Sequence, residues 1–398
     1  MVVITAKLIF FCVHFSPGSR VFRLTSEPQD DKSVMYLLII FVLSFCLSLV
    51  LTKLLIPLAK RLDITDKPTK ERKIHKEAKP LMGGLAVFVA YFIILYFFSD
   101  KLLVGDLEFK HWFGFSLGAL ILVFGGILDD KYNLKAKYQI IFPLLAALAV
   151  IAGGVEIQKI SNPFGDLIYL NNIGIPIIKF GGVWHYFIII SDTFVVLWLM
   201  GMMYTTKLLD GIDGLVTGVT AIGAFVVFLF TMTEKYSQPD IALAALVLSG
   251  VSLGFLVFNW HPAKIFLGEG GSLLMGYILG VLAIISGGKI AIALLVMGIP
   301  ILDVLWTIIR RLKSGLNPFT ISDREHLHFR LLDLGIGQRR TVLVYYFLAA
   351  IFGLSALFLQ SRGKAMALGL LVLLMVMLVV SFSFYDRYRI KSKTTKDN

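Results

Sequence analysis

The chain has 398 residues, of which 57% are apolar before its 35 glycines are counted; only 16% are charged, and the net charge is +12. A soluble domain carries roughly 45–50% apolar residues with glycine included, so neither a soluble globule nor a disordered chain fits this balance. Two cysteines, Cys12 and Cys46, are too few for a disulfide scaffold, and what remains is an all-α polytopic membrane protein.

In chain order, residues 1–34 read as a leader. The apolar run from Val2 to Phe15 is short, holds Lys7 and His14, and is followed by no small-residue cleavage site. A mis-called start upstream of Met35 is the favoured reading, with a weak signal segment or an interfacial helix as alternatives. Runs apolar enough to cross a bilayer follow near 35–58, 81–98, 112–128, 138–154, 186–203, 215–232, 241–258, 272–286, 290–309, 341–359 and 365–385. They predict about eleven transmembrane helices in one polytopic domain, 35–385, ahead of a basic tail, 386–398. Within the stretch 155–185, alternation around Asp166 to Ile178 predicts a short surface hairpin.

Assigning alternate loops to opposite sides puts 25 of the 38 Lys and Arg on the side of 59–80, 129–137, 204–214, 259–271, 310–340 and 386–398, and eight in the loops opposite. By the positive-inside rule that side is cytoplasmic. Topology thus accounts for most of the positive charge, and no nucleic-acid partner is expected.

The suggestive polar residues gather in the same loops. Asp129 and Asp130, with Lys131, Lys135 and Lys137 after them, close the third predicted helix. A helix C-terminus opposes carboxylates, so the pair is read as holding a cation and phosphates unless it caps the next turn. Asp210-Gly211-Ile212-Asp213-Gly214 either caps a helix through Asp213 or lets backbone approach a ligand closely. Asn259 to Ser272 includes Gly268, Glu269 and two more glycines at a predicted helix start, a place where free N–H groups meet anions; an ordinary Ser272 cap is equally compatible. His326 and His328 lie in the basic loop 310–340, a weak signal alone, and Asp66 through Arg72, Lys73 and His75 to Gly84 forms a basic rim or a pure topology signal.

The order D-x-P…RK-x-H…P-x-x-GG, DD, DG-x-DG, N-x-x-PA-x-x-F-x-G-acid-x-GS and H-x-H, from Asp66 to Arg330, resembles the polyprenyl-phosphate N-acetylhexosamine-1-phosphate transferases, the membrane family that includes phospho-N-acetylmuramoyl-pentapeptide transferase. The HLHFR stretch looks more like the branch using UDP-N-acetylglucosamine. The resemblance implies a plasma-membrane enzyme, possible as a homodimer, whose cytoplasmic face joins a UDP-sugar to a polyprenyl phosphate with Mg²⁺, or Mn²⁺ in its place, and releases UMP. It further implies catalytic roles for Asp129, Asp130, Asp213, His326 and His328, and metal ligation by Glu269, Asp130 and Asp213. Donor and lipid-phosphate contacts fall, by the same resemblance, to Lys137, Lys207, Asp210, Gly211, Ile212, Asn259, Phe266 and Arg330.

Three departures stand out. Lys207 and Tyr204 occupy places where that family has Asn, Glu269 replaces the usual Asp, and Phe329 replaces the second His of a pair. They leave open another UDP-sugar, as in the pentapeptide-transferase type, or an inactive relative. A transporter would hold its polar residues near the bilayer midplane, and a membrane metalloprotease would carry H-E-x-x-H, which is absent.

Overall fold

The computed structural model describes residues 28–68, 77–103, 107–160, 162, 165–170, 173–180, 183–287, 290–315 and 326–394. The readings made for residues 1–27, for Arg72, Lys73 and His75, and for residues 322–325 lie outside them. Helix α1 (Pro28–Arg61) starts seven residues ahead of Met35, and Lys60 and Arg61 close it with charge that complements the helix dipole. Strands β1 (Thr65–Asp66) and β2 (Lys79–Pro80) pair antiparallel, with Thr65 opposite Pro80. Then come α2 (Gly83–Phe97), a single turn α3 (Ser99–Leu102), α4 (Phe109–Tyr132), a second single turn α5 (Ala136–Gln139) and α6 (Ile141–Ala152).

The expected hairpin is present but sits later than the alternation placed it. Strands β3 (Lys159–Ile160) and β4 (Ile168–Tyr169) form one small pair. Strands β5 (Gly174–Phe180) and β6 (Val183–Ile188) form the longer one, which takes residues 186–188 out of the fifth predicted span. Beyond it lie α7 (Ile189–Leu209), α8 (Leu215–Thr231), α9 (Pro239–Asn259), α10 (Gly268–Ile285), α11 (Ile290–Val296), α12 (Gly298–Lys313), α13 (Leu327–Asp333), α14 (Gln338–Phe358) and α15 (Ser361–Thr394).

Every one of the eleven apolar runs falls on helix, yet length alone gives fewer crossings. Among the described residues seven helices are long and apolar enough: α1, α4, α7, α9, α10, α14 and α15. The pair α11–α12, bent by 79°, makes an eighth if counted as one. The other runs meet α2, α8 and the α5–α6 pair, none longer than 17 residues. At 1.5 Å per residue such a helix reaches only about 25 Å, short of a hydrocarbon core about 30 Å thick.

Helix α10 is the hub, with 89% of its apolar window buried. It packs on α2, α4, α7, α8 and α11. Its start lies almost backbone to backbone against two neighbours. A Cβ added at Gly126 of α4 would come 2.1 Å from the Gly270 Cα, and one at Gly84 of α2 would come 2.4 Å from the Gly271 Cα. Without side chains at these contacts the helices approach closely and gain dispersion, the usual means of helix association inside a bilayer. Higher up, the Tyr277 hydroxyl donates to the Phe115 carbonyl at 2.8 Å and the Trp198 indole to the Gly280 carbonyl at 3.0 Å, which tie α10 to α4 and α7. The glycine seam and these two bonds fix the height of residue 269 against the ends of α4 and α7.

Candidate active site

The C-terminal ends of α4, α7 and α9 and the N-terminal end of α10 meet at one end of the bundle. Asp129 is buried; its Oδ1 accepts from the Leu134 N–H at 2.8 Å and from the Gln139 amide at 3.1 Å. It therefore does cap the turn after α4, where Asn133 takes a left-handed conformation at φ 50°. Asp130 points the other way: its Oδ1 accepts the Glu269 N–H at 3.0 Å. The helix start expected to offer free N–H groups to an anion thus already meets a carboxylate there, in the orientation the helix dipole favours.

Lys207, in the last turn of α7, reaches into this group. Its Nζ is 2.8 Å from Glu269 Oε2 and 3.1 Å from Gln139 Oε1, and it lies 6.0 Å from the centre of the Tyr204 ring. Gln139 links the two sides, since its amide donates to Asp129 while its carbonyl accepts from Lys207. Asp210 is within electrostatic reach of Glu269 and Asp213. Burial among protein atoms, reinforced by those two carboxylates, raises its pKa above the ordinary value. Its side chain also opens to solvent; water there offsets part of the desolvation, while the push from the two acids keeps the shift upward.

Asp213 does not cap α8, whose first residue follows Gly214 with no side-chain cap. Its Oδ2 is 2.7 Å from His261 Nδ1 and accepts the Ala263 N–H at 3.0 Å. Asn259 is wholly engaged inside the protein. Its Oδ1 accepts from the Gly214 N–H and the Thr217 hydroxyl, and its Nδ2 donates to the Ile265 carbonyl. Ile212 is buried in the apolar core. These last two hold the 210–214 turn in shape rather than presenting side chains at its surface. Ser272 does not cap α10 either; its hydroxyl donates to the Glu269 carbonyl within the helix. The backbone of Phe266 joins the β2 end to this region: its N–H donates to the Pro80 carbonyl and its carbonyl accepts the Gly83 N–H.

The histidines form a second cluster. His326 and His328 are buried, their rings parallel with centroids 5.6 Å apart. His326 Nδ1 lies 2.9 Å from Asp303 Oδ2, and the other oxygen of Asp303 accepts the Leu327 N–H at 2.9 Å. A carboxylate only accepts, so Nδ1 of His326 carries the proton in this bond. Among the described residues neither ring nitrogen of His328 has a hydrogen-bond partner, and burial lowers its pKa to about 3. Gly211 joins the clusters: a Cβ there would come 2.5 Å from His328 Nε2 and 2.8 Å from the Phe329 ring.

Lys137 is exposed, with its Nζ 5.0 Å from the centre of the neighbouring Tyr138 ring, and Arg330, half-buried on the helix that carries His328, lies 5.6 Å from the Phe382 ring centre. Sequence reasoning passed over three others. Asp303 could have been found as the carboxylate inside the apolar run 290–309, since an ionisable group in a membrane helix is by default a candidate functional site. Gln139 and His261 carried no such signal, because their partners are distant in sequence.

Among the described residues no three His, Cys, Asp or Glu side chains form a ready-made metal cage. Asp130 lies within electrostatic reach of Glu269, Asp129 and Asp210, and Lys207 acts on two of these, Glu269 and Asp129. Mg²⁺ commonly takes one or two carboxylates and completes its shell with phosphate oxygens and water, and this donor set fits that use.

Residues 112–287 match the profile of glycosyl transferase family 4. The chain is 30% identical to a probable undecaprenyl-phosphate N-acetylglucosaminyl 1-phosphate transferase of Bacillus subtilis (strain 168), across 88% of this chain and 92% of that protein. It belongs to glycosyl transferase family 4. Similarity extends to the decaprenyl-phosphate N-acetylglucosaminephosphotransferase of Mycolicibacterium smegmatis, 28% identical over 78% of this chain and 80% of that one. It extends also to the phospho-N-acetylmuramoyl-pentapeptide-transferase of Halalkalibacterium halodurans, 29% identical over 81% and 97%. The resemblance read from the motifs is thereby borne out, and this glycosyl transferase family 4 member is a multi-pass membrane enzyme.

Proposed function

We propose that the chain transfers N-acetylglucosamine-1-phosphate from UDP-N-acetylglucosamine to a polyprenyl phosphate at the cytoplasmic face of the plasma membrane, as an early step of cell-envelope glycan synthesis. An oxygen of the lipid phosphate attacks the β-phosphorus of the donor. The bond from that phosphorus to the bridging oxygen breaks, and UMP leaves with the electron pair. Two anions must meet, so offsetting their charge and holding them in line are the main demands. A phosphate monoester with a second pKa near about 6 is largely dianionic at neutral pH, so it needs little help from a base.

Mg²⁺, with Mn²⁺ as substitute, would be held by Asp130 and Glu269 and would supply charge neutralisation at the diphosphate. Lys207 adds a fixed positive charge at the same place, and Asp210 and Asp213 border it. Asp303 orients His326, and His328 stands behind Gly211, where the turn 210–214 would face the donor. The observation that carries the reading is the joining of the carboxylate–lysine group and the histidine cluster across Gly211 at one end of the bundle. The overall likeness to the Bacillus subtilis protein supports the choice of N-acetylglucosamine.

The test is release of UMP, with mass spectrometry of the lipid product, from a panel of UDP-sugars offered to purified protein with undecaprenyl phosphate and Mg²⁺. A lipid-linked diphosphate of N-acetylglucosamine is expected. Product from a different sugar alone would reject the donor, and no product from any would reject the activity.

A further inference from the structure

Two of the sequence's departures from the family pattern, Lys207 for Asn and Glu269 for Asp, lie on different helices and look independent. In the structure they are each other's partners, with Nζ to Oε2 at 2.8 Å where the last turn of α7 meets the first turn of α10. We propose that they are a single coupled exchange, in which Lys207 is the resident counter-ion of Glu269 and sets how tightly the site binds a divalent cation. The identity of that cation rests on the function proposed above; the coupling of the two side chains does not.

The geometry is that of a held lysine, not a loose surface one. Its side chain is only 19% exposed, and a second contact, to Gln139 Oε1 at 3.1 Å, fixes the ammonium from the far side. Through Gln139 the same contact network extends to Asp129. A divalent cation approaching Glu269 therefore meets a positive charge already paired with that carboxylate at 2.8 Å. It must share the carboxylate with the ammonium or displace it, and either costs affinity.

Side-chain lengths explain why both positions would change together. An Asn at 207 is short and neutral and would leave Glu269 without its cation. An Asp at 269 would draw the carboxylate back by one methylene, on the order of 1.5 Å, and would leave a mostly buried ammonium without its acid. Losing the acid alone strands a mostly buried ammonium, which is costly, and losing the lysine alone leaves Glu269, with a side chain 41% exposed, without its counter-ion. Changed together they restore a neutral amide beside a shorter carboxylate, a site open to the metal alone.

The experiment uses the full chain in detergent and two readouts. Mn²⁺ binding is followed directly by the loss of its free electron-paramagnetic signal, for wild type, Lys207→Asn, Lys207→Gln, Lys207→Arg, Glu269→Asp and the Lys207→Asn/Glu269→Asp double variant. Lys207→Asn should bind Mn²⁺ about tenfold or more tightly, because one positive charge has gone from the site. Lys207→Gln gives the same neutral test should the shorter amide unsettle the helix end, and Lys207→Arg should stay within about threefold of wild type. Transfer rates form the second readout: the double variant should exceed the product of the two single effects by about tenfold or more. Equal Mn²⁺ affinity in wild type and both neutral variants, or strictly multiplicative rates, would overturn the proposal. If no form transfers a sugar phosphate yet Mn²⁺ affinity still follows the charge at 207, the proposed function fails and the coupling stands.

Discussion

Replacing Asp303 by Asn is a small change of shape and a large change of chemistry. Asp303 is 3% exposed and uses one oxygen for the Leu327 N–H and the other for His326 Nδ1. An amide has one accepting oxygen and one donating nitrogen. If the oxygen stays on Leu327, preserving the start of α13, the NH₂ faces Nδ1 and forces the imidazole proton onto Nε2. Exchanging a hydrogen bond to a carboxylate for one to a neutral amide should lower stability by about 1–2 kcal/mol. The effect on turnover should be far larger, because the ring loses the anionic partner that fixes its orientation in the site. By analogy with other carboxylate–histidine pairs, a loss of about 10²–10⁴ in kcat is expected. The assay is single-substrate kinetics of lipid-linked sugar formation in detergent, with a thermal melt on the same preparation. A drop in kcat with the donor KM within about threefold, and partial recovery in Asp303→Glu, marks Asp303 as a positioning residue. An Asn variant that melts normally and turns over within threefold of wild type would refute the argument.

Glu269→Gln keeps size but removes a carboxylate from the proposed ion, so transfer should fall by about 10²-fold or more at every Mg²⁺ concentration; Glu269→Asp should lose less and shift the Mg²⁺ requirement. Gly126→Ala places a methyl 2.1 Å from the Gly270 backbone, so the melting temperature should drop, by an amount equivalent to about 1–3 kcal/mol. His328, held neutral by a pKa lowered to about 3, takes no proton when folded but does when unfolded below about pH 6.5. Stability present above pH 6.5 should therefore be lost as pH falls toward 3, by up to about 1.4 kcal/mol per unit. Melts of wild type and His328→Gln between pH 7 and 5 check this, and equal acid sensitivity in both would count against it. Cysteines placed at the exposed Lys135 and Gly335 should react with an impermeant reagent from the same side of sealed vesicles; labelling from opposite sides would break the single-face site.

Periodicity and apolar length marked where helices lie, since each of the eleven runs meets a helix, with only the start of the fifth going to a strand. They did not mark crossings, because a run of 15 residues such as α2 and one of 24 such as α4 look alike in composition. The motif order located the carboxylates, the 210–214 turn and the histidines. What each side chain does inside that frame was hidden. The sequence leaves Asp129 between holding a cation and capping the next turn, and Asp213 between capping a helix and facing a ligand; in the structure one braces a turn and the other grips His261. Asn259 serves as a strut between segments. Such roles depend on contacts such as Asp303–His326 and Lys207–Gln139 that join distant parts of the chain, and no local pattern carries them.

The glycine seam also limits how such a protein can diversify. At Gly84, Gly126, Gly270 and Gly271 one helix backbone fills the room a side chain on its neighbour would need, so mutation there changes the spacing of three helices before it changes any ligand contact. New specificities cannot readily arise from this wall of the site. They have to come from its other margins, the turn 210–214, the short α13 and the stretch leading into α2, where a changed residue leaves the helix spacing alone. A library aimed at altered donor choice should therefore concentrate its variation on those margins, and one aimed at sturdier protein should leave the seam untouched.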